Sequence, residues 1–155
     1  MSGNQHNEGT LLRLSQEDQM EYLCQAQSAR GAVFTGFTPH ENEFLLNHTE
    51  FRKHAKGEYI IKQHADVDFL AVIAAGNVGL FRDKRQVGAC STGKLIGEVP
   101  VFSRVKGAVA DVIAKSTVVT ISFKRAELSA INEMMPDVGF KILQICGRAA
   151  KLKLQ

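Results

Sequence analysis

The sequence predicts an α+β, mainly β fold: an antiparallel sandwich or barrel of short strands, with helices before and after it. Three observations carry this. Between Phe51 and Phe123 the chain breaks into short β-branched or apolar runs, "EYIIKQ", "DFLAVIAAGNVGLFRD", "RQVGACSTG", "AVADVIA" and "STVVTISFK", separated at close intervals by glycines, polar turns and charges. Such spacing suits hairpins and leaves no room for the crossover helices of a βαβ fold. On both sides of this region the apolar period changes to that of a helix. A length of 155 residues, with 45% hydrophobic and 23% charged residues, is that of one ordinary globular domain with a real core.

The elements follow in order. Residues 1–50 read as a polar leader and N-terminal helices; residues 1–10 lack periodicity and predict a loose start. "SQEDQMEYLCQAQSAR" begins with Ser15 as N-cap and places Met20, Leu23 and Cys24 at helical spacing, which predicts a helix from Gln16 to Ala29. In "GFTPHENEFLLNHTEFRKH" Thr38 caps, Pro39 takes the first helical position and Glu41 completes a capping box, so a short helix runs to about Asn47 with Phe44, Leu45 and Leu46 on its apolar face. Residues 51–124 form the β region, with about eight strands, and residues 125–155 the closing helices. There "KRAELSAINEMM" is one helix, and Pro136 ends it and begins the next, whose apolar positions Val138, Ile142, Ile145, Cys146, Ala149 and Leu152 define one face.

This order, with "KGEYIIKQHADVDFLAVIAAGNVGLF" and "GKLIGEVPVF", resembles the cyclic nucleotide-binding domain family, the roll of catabolite activators and protein kinase A regulatory subunits. Gly57, Glu58, Ile60, Ile61, Ile73, Gly76 and Val78 stand where that family has its opening hairpin pattern, and the likeness runs from about Phe34 to Leu154. The resemblance implies an antiparallel, jelly-roll-like β-roll flanked by N-terminal helices and two C-terminal helices. It also implies a phosphate-binding cassette at residues 93–112. Gly97 and Glu98 occupy the family's Gly-Glu pair: glycine lets the backbone come close, and the helix start that follows offers N–H groups to an anion. By position Glu98 inherits hydrogen bonds from a ribose 2′-hydroxyl. The ligand-binding set is then Gly97, Glu98, Val99, Lys106, Ala108 and Val109.

The cassette departs from the family where phosphate is held. The family's arginine falls nine or ten residues after the glutamate, at Gly107 or Ala108 here. A backbone N–H used by the family falls on Pro100, which has none, and a residue that is often a hydroxyl falls on Val109. Charge-assisted hydrogen bonds contribute about 1.5 to 3 kcal/mol each, so losing the arginine and one amide weakens phosphate binding by about two to four orders of magnitude. Arg104 and Lys106, in the same loop, are the cations that can substitute.

Other chemistry finds little support. Cupins share small β-rolls, but His40, His48, His54 and His64 occur singly, without the spacing of a metal site. His64 sits in a turn where the family usually has glycine. Ser91, Ser103 and the cysteines lack a histidine and carboxylate pattern, so no enzyme is expected. Cys24, Cys90 and Cys146 read as reduced, mostly buried thiols. No apolar run is long enough to span a bilayer and no signal peptide is evident, so the expected location is cytoplasmic, away from membranes. A net charge of +3 is too small to imply nucleic acid, and Lys141, Arg148, Lys151 and Lys153 read as complements to the last helix's dipole.

Two readings of function follow. One is a stand-alone regulatory domain that binds a small ligand, with cyclic AMP or cyclic GMP held weakly, and signals through its C-terminal helices. With only a short tail beyond about residue 150, no attached DNA-binding module is expected. The other is a degenerate roll that binds no nucleotide and serves as an interaction or homodimerisation module through its last helix. Neither reading needs a cofactor or metal.

Overall fold

A strand in which every residue is apolar is explained only if both of its faces are covered, and "FLAVIAA" (Phe69–Ala75) sits at the centre of this molecule for that reason. In the computed structural model, which describes residues 8–97 and 107–154, Leu70, Val72 and Ala74 face the helices while Phe69, Ala71 and Ile73 face a second sheet.

In chain order the described elements are β1 (Thr10–Leu12), α1 (Gln16–Ser28), α2 (Pro39–Leu46), β2 (Glu50–His54), β3 (Tyr59–Ile61), β4 (Phe69–Ala75), β5 (Asn77–Arg82), β6 (Arg85–Ser91), β7 (Leu95–Ile96), β8 (Asp111–Ala114), β9 (Val118–Lys124), α3 (Arg125–Met134) and α4 (Pro136–Leu154). The strands form two sheets, ordered β1-β2-β9-β4-β7 and β3-β8-β5-β6, and every pairing is antiparallel. The expected mainly β fold, a roll flanked by helices, is therefore present.

The local signals behave as their chemistry requires. Ser15 Oγ accepts the Asp18 N–H at 3.1 Å. Thr38 and Glu41 form a reciprocal capping box, at 3.1 and 2.9 Å, with Pro39 at the helix start. On α4, Val138, Ile142, Ile145 and Cys146 are buried and Ala149 is half-buried, all against the outer face of the five-stranded sheet, so this stripe is a packing face. Leu152, Lys151 and Lys153 have side chains outside the described set. Exposed apolar residues on the same helix are Phe140 and Leu143.

Three expectations need correction. The start of the chain is not wholly loose: Thr10–Leu12 extends the five-stranded sheet by pairing with Phe51–Lys53. Cys24 is exposed and Cys90 half-buried, so buried-thiol character belongs to Cys146; on α1 the buried positions are Leu23 and Ala26. His54, for whose burial the sequence carried no signal, is a fully buried core residue at the end of β2. Lys141 lies early in α4 and serves a side-chain contact: its Nζ reaches Glu41 Oε1 at 2.7 Å and the Gly36 carbonyl at 3.0 Å, over the ring of Phe37.

Candidate functional site

The cassette enters through β7. Gly93, with φ of +94°, donates its N–H to the Ile73 carbonyl at 2.8 Å, and Leu95 and Ile96 pair with Val72 and Ala71. Gly97 follows with φ of +87°, pressed so closely on β4 that a Cβ would lie 2.6 Å from the Phe69 carbonyl oxygen. Only glycine fits there, which is the physical content of the Gly of the Gly-Glu pair. Glu98, Val99 and Lys106, with Pro100, Ser103 and Arg104, lie outside the described residues.

The exit is tightly bound. Gly107 has φ of +75°, and a Cβ there would stand 2.6 Å from the His64 carbonyl oxygen and 3.0 Å from its Cα. Ala108 exchanges backbone hydrogen bonds with the turn below it: its N–H reaches the Ala65 carbonyl at 2.9 Å, and its carbonyl accepts the His64 N–H at 2.8 Å. The methyl of Ala108 is buried in the layer between the sheets. The two places where an arginine would fall are thus closed, one by backbone and one by apolar packing. His64 itself holds φ of +71°, the left-handed conformation that a glycine would favour.

Residues that sequence reasoning passed over surround this exit. Arg82, the last residue of β5, donates from Nε to the carbonyl of half-buried Val109 at 3.2 Å. Gln63 ties three elements together: its backbone N–H reaches Asp111 Oδ1 at 2.7 Å, its Oε1 accepts the Asp83 N–H at 2.9 Å, and its Nε2 faces Asp83 Oδ1 at 3.4 Å. The signal for this cluster was the tight "RDKR" turn, whose Asp83 and Lys84 both take positive φ.

Away from the cassette, His54 Nδ1 lies 2.8 Å from Glu58 Oε2, and its Nε2 lies 3.5 Å from Thr120 Oγ1. Burial pushes the imidazole below its ordinary pKa, outweighing the hydrogen bond and charge of Glu58 that pull it up; Arg52 adds a smaller lowering. Among the described residues no group of three or more histidine, cysteine or carboxylate side chains could hold a metal, and no helix is long and apolar enough to cross a membrane.

No curated protein sequence matches the chain. Among solved structures, a cyclic nucleotide-binding domain from Methylobacillus flagellatus superposes with a TM-score of 0.77 at 17% identity, over 94% of this chain and 83% of that one. The catabolite activator protein of Thermus thermophilus gives 0.66 at 24% identity, over 79% of this chain and 61% of that one. The regulatory subunit of a cAMP-independent protein kinase A from Trypanosoma brucei gives 0.70 at 20% identity, over 87% of this chain and 46% of that one. The sequence signature described as "Cyclic nucleotide-binding domain" matches residues 51–133, from β2 into α3, and by that match the chain belongs to the cyclic nucleotide-binding domain family.

Proposed function

We propose that the chain is a regulatory domain that senses a small ligand in the roll beside Gly97 and Glu98, holds it weakly, and signals through α3 and α4. The observation that carries this reading is Gly97. Its left-handed backbone, jammed against Phe69, keeps the approach that brings the Gly-Glu pair to a ligand. Weak binding follows from the exit, where Gly107 and Ala108 leave no place for an arginine side chain. Cyclic AMP and cyclic GMP are the ligands to test first. The Trypanosoma brucei neighbour is a regulatory subunit of a cAMP-independent protein kinase A, so likeness in fold does not by itself single out cyclic AMP as the ligand here.

Ligand in the roll would act by favouring one placement of the closing helices over another, and only to the extent that it binds the two placements differently. On this reading the chain is not an enzyme, needs no cofactor, touches neither DNA nor membrane, and works in the cytoplasm. The second reading, a roll that binds no nucleotide and docks a partner or a second copy through its last helix, is favoured by the closed exit together with exposed Phe140 and Leu143 on α4.

Calorimetric titration with cyclic AMP and cyclic GMP, up to millimolar ligand at low salt, separates the two. Saturable heat that Glu98→Ala abolishes is the expected result. A folded protein that gives no heat, and that dimerises with concentration, would replace the first reading by the second.

A further inference from the structure

At the described exit of the cassette Gly107 and Ala108 carry no cation, and the geometry points to Arg82, on the neighbouring hairpin, as the residue that supplies one. The inference rests on the ligand-sensing reading above and names the ligand class: a small organic phosphate, a nucleotide foremost.

The direction of the Arg82 side chain follows from its strand. Val78 and Leu80 of β5 belong to the layer between the sheets, while Phe81 turns to the other face, where its ring lies against Gly79 and under Lys115 Nζ. The extra residue of the bulge beside Leu80 and Phe81 is on β6, so the alternation of β5 is undisturbed. Arg82, the exposed last residue of the strand, therefore returns to the face of Leu80. There its Nε is fixed on the Val109 carbonyl, directly after the closed positions Gly107 and Ala108.

Anchoring through Nε leaves the two terminal nitrogens of the guanidinium as a planar pair of donors, the shape that suits two phosphate oxygens. Among the described residues those nitrogens make no ion pair. The nearest carboxylates in sequence and pairing, Asp83 and Asp111, are both engaged by Gln63, which reduces their competition for the guanidinium. The same Gln63 contacts hold the tip of the hairpin against β8, so Arg82 is presented from a fixed turn and need not be recruited from a loop.

The test titrates wild type, Arg82→Gln, Arg82→Lys and Lys106→Ala with cyclic AMP, adenosine and inorganic phosphate at low salt, with melting curves to confirm that each variant is folded. Wild type is expected to prefer cyclic AMP over adenosine by about tenfold or more, the worth of one charge-assisted pair. Arg82→Gln should erase that preference while leaving adenosine binding unchanged, and Arg82→Lys should restore part of it. Binding of inorganic phosphate alone, lost in Arg82→Gln, would support the same cation with free phosphate as its source. Cyclic AMP binding that is untouched in Arg82→Gln, or that depends on Lys106 instead, overturns the role of Arg82 and leaves the sensing reading standing. Wild type that binds none of the three overturns the sensing reading, and this inference with it.

Discussion

Acidification should expose the cost of keeping His54 uncharged inside the roll. The ring has no solvent exposure, meets Glu58 at 2.8 Å, and is roofed by the backbone of Gly9, where a Cβ would lie 2.7 Å from Nδ1. The other charged group bearing on it is Arg52, and Thr120 is its neutral neighbour across the layer. Because burial lowers its folded pKa, the unfolded chain takes up a proton near pH 6.5, the ordinary value, while the folded chain does so only at lower pH. Between those two values the unfolded state binds more protons. Its contribution to stability is whole above about pH 6.5 and is lost as pH falls through the window towards the folded value. One proton sets the ceiling on the slope at about 1.4 kcal/mol per pH unit. The assay is urea unfolding of wild type and His54→Gln at closely spaced pH values from about 7.5 to 5, read as the difference between the two. His48 and its partner Glu127 are the same in both proteins, so the difference isolates the change at His54. A difference that does not change with pH, or a wild type that gains stability over the variant on acidification, would refute the account.

Three substitutions test the rest of the framework. Gly107→Arg, which restores the family's cation at one of its two positions, should lower stability by at least about 1 to 2 kcal/mol from the left-handed backbone alone, before the clash with His64 is counted; unchanged stability with tighter cyclic AMP binding would show that the corner is open. Lys84→Gly relieves a positive φ of 67° in the β5–β6 turn and should raise stability by about 1 kcal/mol, or the melting temperature by about 2 to 4 °C, whereas a fall would mean the turn is of another type. Phe123→Ala removes a fully buried ring that packs on Phe34 at 5.6 Å and should cost about 3 to 5 kcal/mol in urea unfolding; a loss below about 1 kcal/mol would mean the helices do not dock on this sheet as described.

What the sequence made legible was local chemistry whose partners are a few residues away. Ser15, Thr38, Glu41 and Pro136 mark helix ends because a cap or a missing N–H acts on its own turn, and α1, α2 and α4 begin where those residues put them. The stripe on α4 was legible for the same reason. The strand β1 was not: its three residues carry no alternation and owe their conformation to β2, some forty residues later. His54 looked like any solitary histidine, since burial depends on which strands close over it. At the cassette, Gly107 and Ala108 were readable as missing cations, but what closes their places, the backbone of His64 at one and the apolar layer between the sheets at the other, is brought there only by tertiary packing.

One carboxylate oxygen joins the two ends of the chain. Glu41 Oε1 accepts the Thr38 N–H that caps α2, and it also receives the ammonium of Lys141 on α4, 100 positions away, which holds the Glu41 carboxyl below the usual carboxylate range. The cap of one helix and the mooring of another are therefore the same atom. A pull on α4 reaches α2 without passing through the roll, and the two helices can respond as coupled arms of one lever. Cleavage that removes α4 would accordingly leave a mark at the other end of the molecule, as faster amide exchange in the first turn of α2.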